Sequence, residues 1–163
     1  MWLGAEAPDR VDRLVLACTS ARFGEPVTWT RRAAQVRALG MDAVAHEALD
    51  KWFTPSFRDR EPFLEMQLRT PPEHYALGLE AIGGFDFRER LGEISAPTLV
   101  LAGAEDEATT PADAAFIAAR IPRARLVVLD DAAHLANVER PRSFNHELVR
   151  HLRARGDSES SAD

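Results

Sequence analysis

The sequence is short of cysteine, of long apolar runs and of positive charge, and each shortage excludes something. One cysteine, Cys18, in 163 residues cannot close an internal disulfide. A disulfide-stapled scaffold is therefore excluded, and a reducing cytoplasm is the expected compartment. Unbroken apolar stretches such as Leu14 to Cys18 fall far short of the roughly 20 residues that a membrane-spanning helix needs. The opening Met1 to Glu6 has neither a basic leader nor a long apolar centre, so it does not read as a signal peptide. With 20 Lys and Arg against 26 Asp and Glu, the formal net charge is −6. That field favours neither nucleic acid nor an anionic membrane as a partner.

What is present is an ordinary soluble composition, 45% hydrophobic and 28% charged, at the length of one domain. Asp157, Glu159 and Asp163 fall in the terminal run 156–163, which has no large apolar residue. Such a run predicts a disordered tail.

Three segments read as buried parallel strands, being short, β-branched or Leu-rich and without polar alternation: Leu14 to Cys18, Thr98 to Leu101, and Leu126 to Leu129. A proline or a charged turn introduces each, which suggests that they enter one sheet from the same side. Thr110-Pro111-Ala112-Asp113 reads as a helix start, with Thr as cap and Pro at the first helical position. Ala112, Ala115, Phe116 and Ala119 then predict its packing face, and Phe144, Leu148, His151 and Leu152 predict that of a helix opened by Pro141. Strand, helix, strand, helix is the pattern of an α/β domain.

Between Glu25 and Arg90 no strand-like run occurs. Trp29, Ala33 and Val36, then Val44, Ala48, Leu49 and Trp52, recur at helical intervals, and Pro55, Pro62, Pro71 and Pro72 punctuate them. Several short helices are predicted here, as an excursion of the kind that covers a ligand pocket.

Asp106 follows the second strand closely and His134 follows the third. In a parallel sheet both loops emerge at the carboxyl ends of neighbouring strands, where α/β proteins place their sites. Taken singly, Asp106 reads as a turn cap and His134 as a loop residue. Taken together they read as a functional pair, an acid fixing the tautomer of a general base. Asp130 and Asp131 are expected to shape the turn before His134, while His46, His74, His146 and His151 lie in helical segments and receive no role.

Three blocks carry a family resemblance: Pro8-Asp9-Arg10-Val11-Asp12-Arg13-Leu14-Val15-Leu16, the run from Ile94 to Asp106, and His134-Leu135-Ala136-Asn137-Val138-Glu139-Arg140-Pro141. They resemble the last three strands of the α/β-hydrolases. Cys18-Thr19-Ser20-Ala21 and Trp52-Phe53-Thr54-Pro55 add a similarity to the 3-oxoadipate enol-lactonases of aromatic (β-ketoadipate) catabolism; related esterases share the same blocks. The resemblance implies a carboxyl-terminal part of that fold, with 1–24 and 91–155 as a partial core and 25–90 as a helical lid. It also implies Asp106 as triad acid, His134 as general base, an ester or lactone as substrate, and no cofactor or metal.

One departure matters. No Gly-x-Ser-x-Gly occurs in the sequence, so the nucleophile elbow of this family is missing and the isolated chain is expected to be inactive. Met1 to Ala5 resembles the end of the helix after the elbow, which implies a chain beginning just past the nucleophile. Ser20 and Cys18 are the candidates to replace it, but neither stands on a strand-to-helix elbow, and Cys18 reads as a small buried apolar residue. For the carboxylate of an enol-lactone, Arg22, Arg31 and Arg32 are candidate cations, with Trp29 and Trp52 as candidate walls; the alternative is solvated arginines and lid-core tryptophans. A free strand edge implies a partner, either a second copy or the missing amino-terminal half. A non-catalytic, partner-dependent module is the alternative function.

Overall fold

The structure, a computed structural model, describes residues 1–154 of the chain, so the predicted tail 156–163 lies outside the described residues. In chain order the elements are α1 (Trp2–Glu6), β1 (Leu14–Ala17), α2 (Pro26–Leu39), α3 (Ala45–Trp52), α4 (Glu61–Arg69) and α5 (Pro72–Gly83). There follow β2 (Thr98–Gly103), α6 (Pro111–Ala118), β3 (Ala124–Leu129), α7 (Ala136–Glu139) and α8 (Pro141–Arg153). Short 3-10 turns span Pro8–Arg10, Met41–Ala43 and Arg88–Glu93.

Prolines mark many of the helix starts. Pro26, Pro62, Pro72, Pro111 and Pro141 each occupy one of the first two positions of a helix. There the missing N–H costs no helical bond and the fixed φ is already right. At α6 the Thr110 hydroxyl accepts from the Asp113 N–H while the Asp113 carboxylate accepts from the Thr110 N–H, a complete capping box. At the other end of α2, Gly40 adopts φ 77°, a backbone state that L-residues with a Cβ rarely take.

The three strands form one parallel sheet in the order β1-β2-β3. Leu14 pairs with Thr98 and Thr98 with Ala124, and at the far end Gly103 pairs with Leu129. Every residue of β2 is buried, because strands flank it and layers cover both faces. Leu16, Val100, Ile94, Leu91, Ile117 and Ile121 join across the sheet, the 3-10 turn and α6 into one core. Above it, α2 and α5 enclose a second core of Ala33, Val36, Met41, Val44, Ala76 and Leu79.

Several sequence expectations are corrected. Burial on both faces holds for β2 alone: β1 and β3 are mostly half-buried, and Val128 is exposed. The reason is position, since β3 is an edge strand and no strand flanks the outer side of β1 among the described residues. The first strand ends at Ala17, and Cys18 follows it with φ 45°. The second and third run longer than expected, to Gly103 and from Ala124. On α6 the packing face is Ala114 and Ile117, continued by Ile121, because the larger aliphatic side chains take the core; Ala112, Ala115 and Ala119 face out and Phe116 only partly packs. On α8, Leu152 is exposed and Glu147 faces inward beside Phe144, Leu148 and His151. Glu147 does so because Arg125 of β3 meets it at 2.6 Å.

His151 gives this fold a pH-dependent strut. It is buried on α8, and its Nε2 has no hydrogen-bond partner among the described residues. Burial first, then the nearby Arg13 and Arg125, hold its titration below the ordinary value of 6.5, against the carbonyls of Leu14 and Pro97. The unfolded chain therefore binds the proton more readily than the fold, so stability falls as pH drops through the unfolded value. Denaturant midpoints are expected to fall between about pH 7.5 and about pH 5.5, and His151→Leu is expected to flatten that slope. An unchanged slope in the variant would assign the effect elsewhere.

Candidate active site

The register that pairs Gly103 with Leu129 makes the two following loops leave the sheet at one level. They are then stitched together: the Ala104 N–H donates to the Leu129 carbonyl and the Glu105 N–H to the Ala132 carbonyl, each at 2.9 Å. Gly103 permits this approach. A Cβ built there would lie 2.3 Å from the Ala133 carbonyl oxygen and 2.4 Å from that of Ala132.

These contacts bring Asp106 and His134 together, with His134 Nδ1 2.9 Å from Asp106 Oδ2. The Asp106 side chain is fully buried, whereas that of His134 is 24% exposed. On Oδ1, Asp106 accepts the N–H groups of Ala108 and Thr109 at 2.8 and 2.9 Å. On Oδ2 it accepts the Thr109 hydroxyl at 2.9 Å besides the imidazole. Burial pushes this carboxyl's titration up, but the bonds from His134 and Thr109 outweigh it, and the group is held below the ordinary 3.8.

An ionised carboxylate only accepts, so the neutral imidazole must carry its proton on Nδ1. Nε2 is then the basic nitrogen, and among the described residues it has no hydrogen-bond partner. The arrangement is an imidazole whose tautomer is set by a buried acid, a geometry that could serve a general base.

Two residues that sequence reasoning missed complete the frame. Thr109 places its hydroxyl 2.9 Å from Asp106 Oδ2 and 3.2 Å from His134 Nδ1. Its position three residues after the acid was the available signal. Glu139 is buried on α7 and accepts the N–H of Ala133 at 2.6 Å and the N–H and hydroxyl of Thr54 at 3.0 and 2.7 Å. No local pattern announced it, since Thr54 lies 85 residues away.

The other candidates are placed as follows. Ser20 is buried and its hydroxyl donates to the Arg22 carbonyl at 2.7 Å, with Asp113 Oδ1 at 3.1 Å, so it braces the loop against the α6 cap. The Cys18 thiol packs with Leu129, Ala132 and Ala136, and burial raises its titration above the ordinary value; it is a poor nucleophile. Asp131 adopts φ 50° and meets Arg140 at 3.1 Å, shaping the turn before the histidine. Arg22 faces Glu25 at 3.0 Å and Asp86 at 4.0 Å, Arg32 faces Glu47 at 2.8 Å, and Arg31 is exposed on α2. Trp29 packs against the α2–α5 core and its indole N–H donates to the Phe23 carbonyl. Trp52 meets the site through its backbone: its carbonyl accepts the N–H of Leu135, next to His134, at 2.9 Å. Among the described residues, no group of three or more His, Cys, Asp or Glu is placed to hold a metal ion, and no helix is long and apolar enough to cross a membrane.

Comparison with known proteins gives a consistent picture. The chain is 39% identical over 152 residues to 3-oxoadipate enol-lactonase 2 of Acinetobacter baylyi, an alignment covering 90% of this chain and 57% of that enzyme. Its structure is similar to that of the enol-lactonase from Burkholderia xenovorans LB400, with a TM-score of 0.87 at 39% identity over 92% of this chain and 59% of that one. It is also similar to a hydrolase from Pseudomonas aeruginosa PA01, with a TM-score of 0.88 at 39% identity, covering 94% and 60% of the two chains. The chain thus spans a little under three fifths of the length of the enol-lactonase relatives it matches. A family model described as alpha/beta hydrolase fold matches residues 57–141, just over half of the chain and a span that holds both Asp106 and His134. With three parallel strands, flanking helices and an acid–histidine pair at the carboxyl edge of the sheet, the chain belongs to the alpha/beta hydrolase fold family.

Proposed function

We propose that this chain supplies the acid, the general base and the substrate cover of an ester hydrolase, with 3-oxoadipate enol-lactone as the substrate. The observation that carries this reading is the 2.9 Å contact between His134 Nδ1 and the buried Asp106, which leaves Nε2 facing away from the acid. The named activity of the relatives at 39% identity supports the lactone. Asp106 and His134 are the catalytic residues from this chain. The serine is supplied by a segment outside it, because Ser20 and Cys18 are engaged in packing and bracing.

In the reaction, the serine hydroxyl loses its proton to His134 Nε2 as its oxygen attacks the lactone carbonyl. Asp106 stabilises the resulting imidazolium. His134 then returns the proton to the departing enol oxygen, which opens the ring and leaves an acyl ester on the serine. Water attacks that ester, giving one proton to His134, which passes it to the serine as the acid leaves. Trp52, whose backbone adjoins the base, lines the substrate, and the helices from α2 to α5 exclude water from it. A reducing, cytoplasmic setting suits the lone thiol. The outer edge of β1 is the surface through which the serine-bearing segment, or a second copy, joins the sheet.

The test is complementation. The purified chain alone is expected to leave the enol-lactone and activated esters at the buffer rate. Adding, as a separate polypeptide, the part of the Acinetobacter baylyi enol-lactonase outside the aligned region is expected to restore turnover. A stable complex without turnover would favour the second reading, a non-catalytic module, which the missing Gly-x-Ser-x-Gly already supports. Turnover by the chain alone that His134→Ala removes would reveal a nucleophile within it.

A further inference from the structure

We propose that Glu139 is a positioning residue for His134, holding the base to the segment that follows α3 so that the cover and the imidazole are set together. The proposal rests on the reading of His134 as a base, and its geometry is independent of any substrate. His134 lies between two pinned amides. On one side, the Ala133 N–H donates to Glu139 Oε2 at 2.6 Å. On the other, the Leu135 N–H donates to the Trp52 carbonyl at 2.9 Å.

The second oxygen of Glu139 makes the connection to the cover. Oε1 accepts the Thr54 N–H at 3.0 Å and the Thr54 hydroxyl at 2.7 Å. Thr54 is itself fixed, since its carbonyl accepts from Arg60 at 2.5 Å and its hydroxyl lies 2.9 Å from that of Ser56. Phe53 is stacked on Phe57 at 4.5 Å and meets Phe63 edge-on at 4.9 Å. One buried carboxylate therefore joins a rigid aromatic knot in the cover to the residue preceding the base.

A carboxylate is required at this position. The two backbone N–H groups, from Ala133 and from Thr54, reach different oxygens, and neither can turn into an acceptor. Glu139→Gln keeps the shape but has one acceptor oxygen, so in either orientation its NH2 faces one of those donors. One link must open, and the loop on that side loosens.

The experiment follows the Nδ1–H proton of His134 by isotope-edited NMR in the full chain, with amide exchange at Ala133 and Thr54 and an unfolding curve for each variant. Glu139→Gln is expected to speed exchange of the Nδ1–H, and of one of the two amides, about tenfold or more, while the chain stays folded. An Nδ1–H that exchanges at the original rate while an amide loosens would overturn the proposal, leaving Glu139 a structural residue only. If Glu139→Gln does not fold, Thr54→Val decides: it removes the hydroxyl link and keeps both amides. About threefold faster Nδ1–H exchange is then expected, with Thr54→Ser restoring the original rate, and no change in Thr54→Val overturns the proposal. None of these measurements involves turnover, so a failed complementation would sink the hydrolase reading and leave this result standing.

Discussion

In the complemented protein, His134→Ala is expected to lower kcat for the enol-lactone by roughly 10^4-fold or more, with little change in KM. The size follows from what the imidazole does in the geometry observed. Its Nδ1–H is committed to Asp106 Oδ2 at 2.9 Å, so in the proposed reaction Nε2 alone would take the proton of the nucleophile and return it to the leaving oxygen. A methyl group transfers no proton, and both halves of the reaction slow. Asp106→Asn is expected to reduce kcat almost as much for a different reason: the amide presents an NH2 to an imidazole that must itself donate, and the ring settles in the wrong tautomer. Progress curves on the lactone, with complex formation checked by size-exclusion chromatography, measure both. Retention of more than about a tenth of the activity by His134→Ala would remove the base from this assignment.

Gly103→Ala is expected to destabilise the chain by about 3 kcal/mol or more, since Gly103 has the tightest surroundings of the glycines among the described residues. The new Cβ would meet the carbonyl oxygens of Ala133 and Ala132 at 2.3 and 2.4 Å, and these are backbone atoms that no rotamer change can move aside. Relief requires that the whole loop from Asp130 to His134 shift away from β2. That shift strains the 2.9 Å bond from the Glu105 N–H to the Ala132 carbonyl and draws His134 from Asp106. A displacement of about 1 Å is enough to cost roughly 10^2-fold in a positioned proton transfer. Urea unfolding gives the first quantity, and the His134 Nδ1–H resonance reports the second. An unchanged midpoint with an intact Nδ1–H signal would mean that the close approach at Gly103 is not required.

By itself the sequence determined the fold class, because its signals are local. A run such as Leu99 to Leu101 without polar alternation points to a parallel strand, and Thr110-Pro111 with Asp113 satisfies a helix start within four residues. It also placed Asp106 and His134 at one edge, since parallel strands bring successive loops to the same end. Helix faces were less legible. The alanines of α6 are so evenly spread that apolar spacing did not single out the Ala114 and Ile117 side; only the shape of the sheet beneath selects it. Strand burial was undecidable for a similar reason: Leu126 to Leu129 reads as a core strand, and its place at the sheet edge leaves Val128 in solvent. Cys18 looks like part of a strand in sequence; its N–H still donates to the Leu101 carbonyl at 2.8 Å, but its backbone turns away from the strand at φ 45°.

The site's supporting contacts belong wholly to the tertiary structure. Glu139 and Thr54 are 85 residues apart and joined by a buried carboxylate, and Ser20 meets Asp113 across 93 residues. Nothing in the local chemistry of a glutamate, a threonine or a serine tells a solvated side chain from one that closes such a link. Arg22, Arg32 and Trp29 show the same from the other side: their residue types did not announce the ion pairs of the two arginines or the packing of the tryptophan on the α2–α5 core. Local propensity and periodicity act over a few residues and are written in their order. The partner of a buried polar group is set by which distant backbone the packed core carries to within 3 Å of it, and only the folded chain contains that distance.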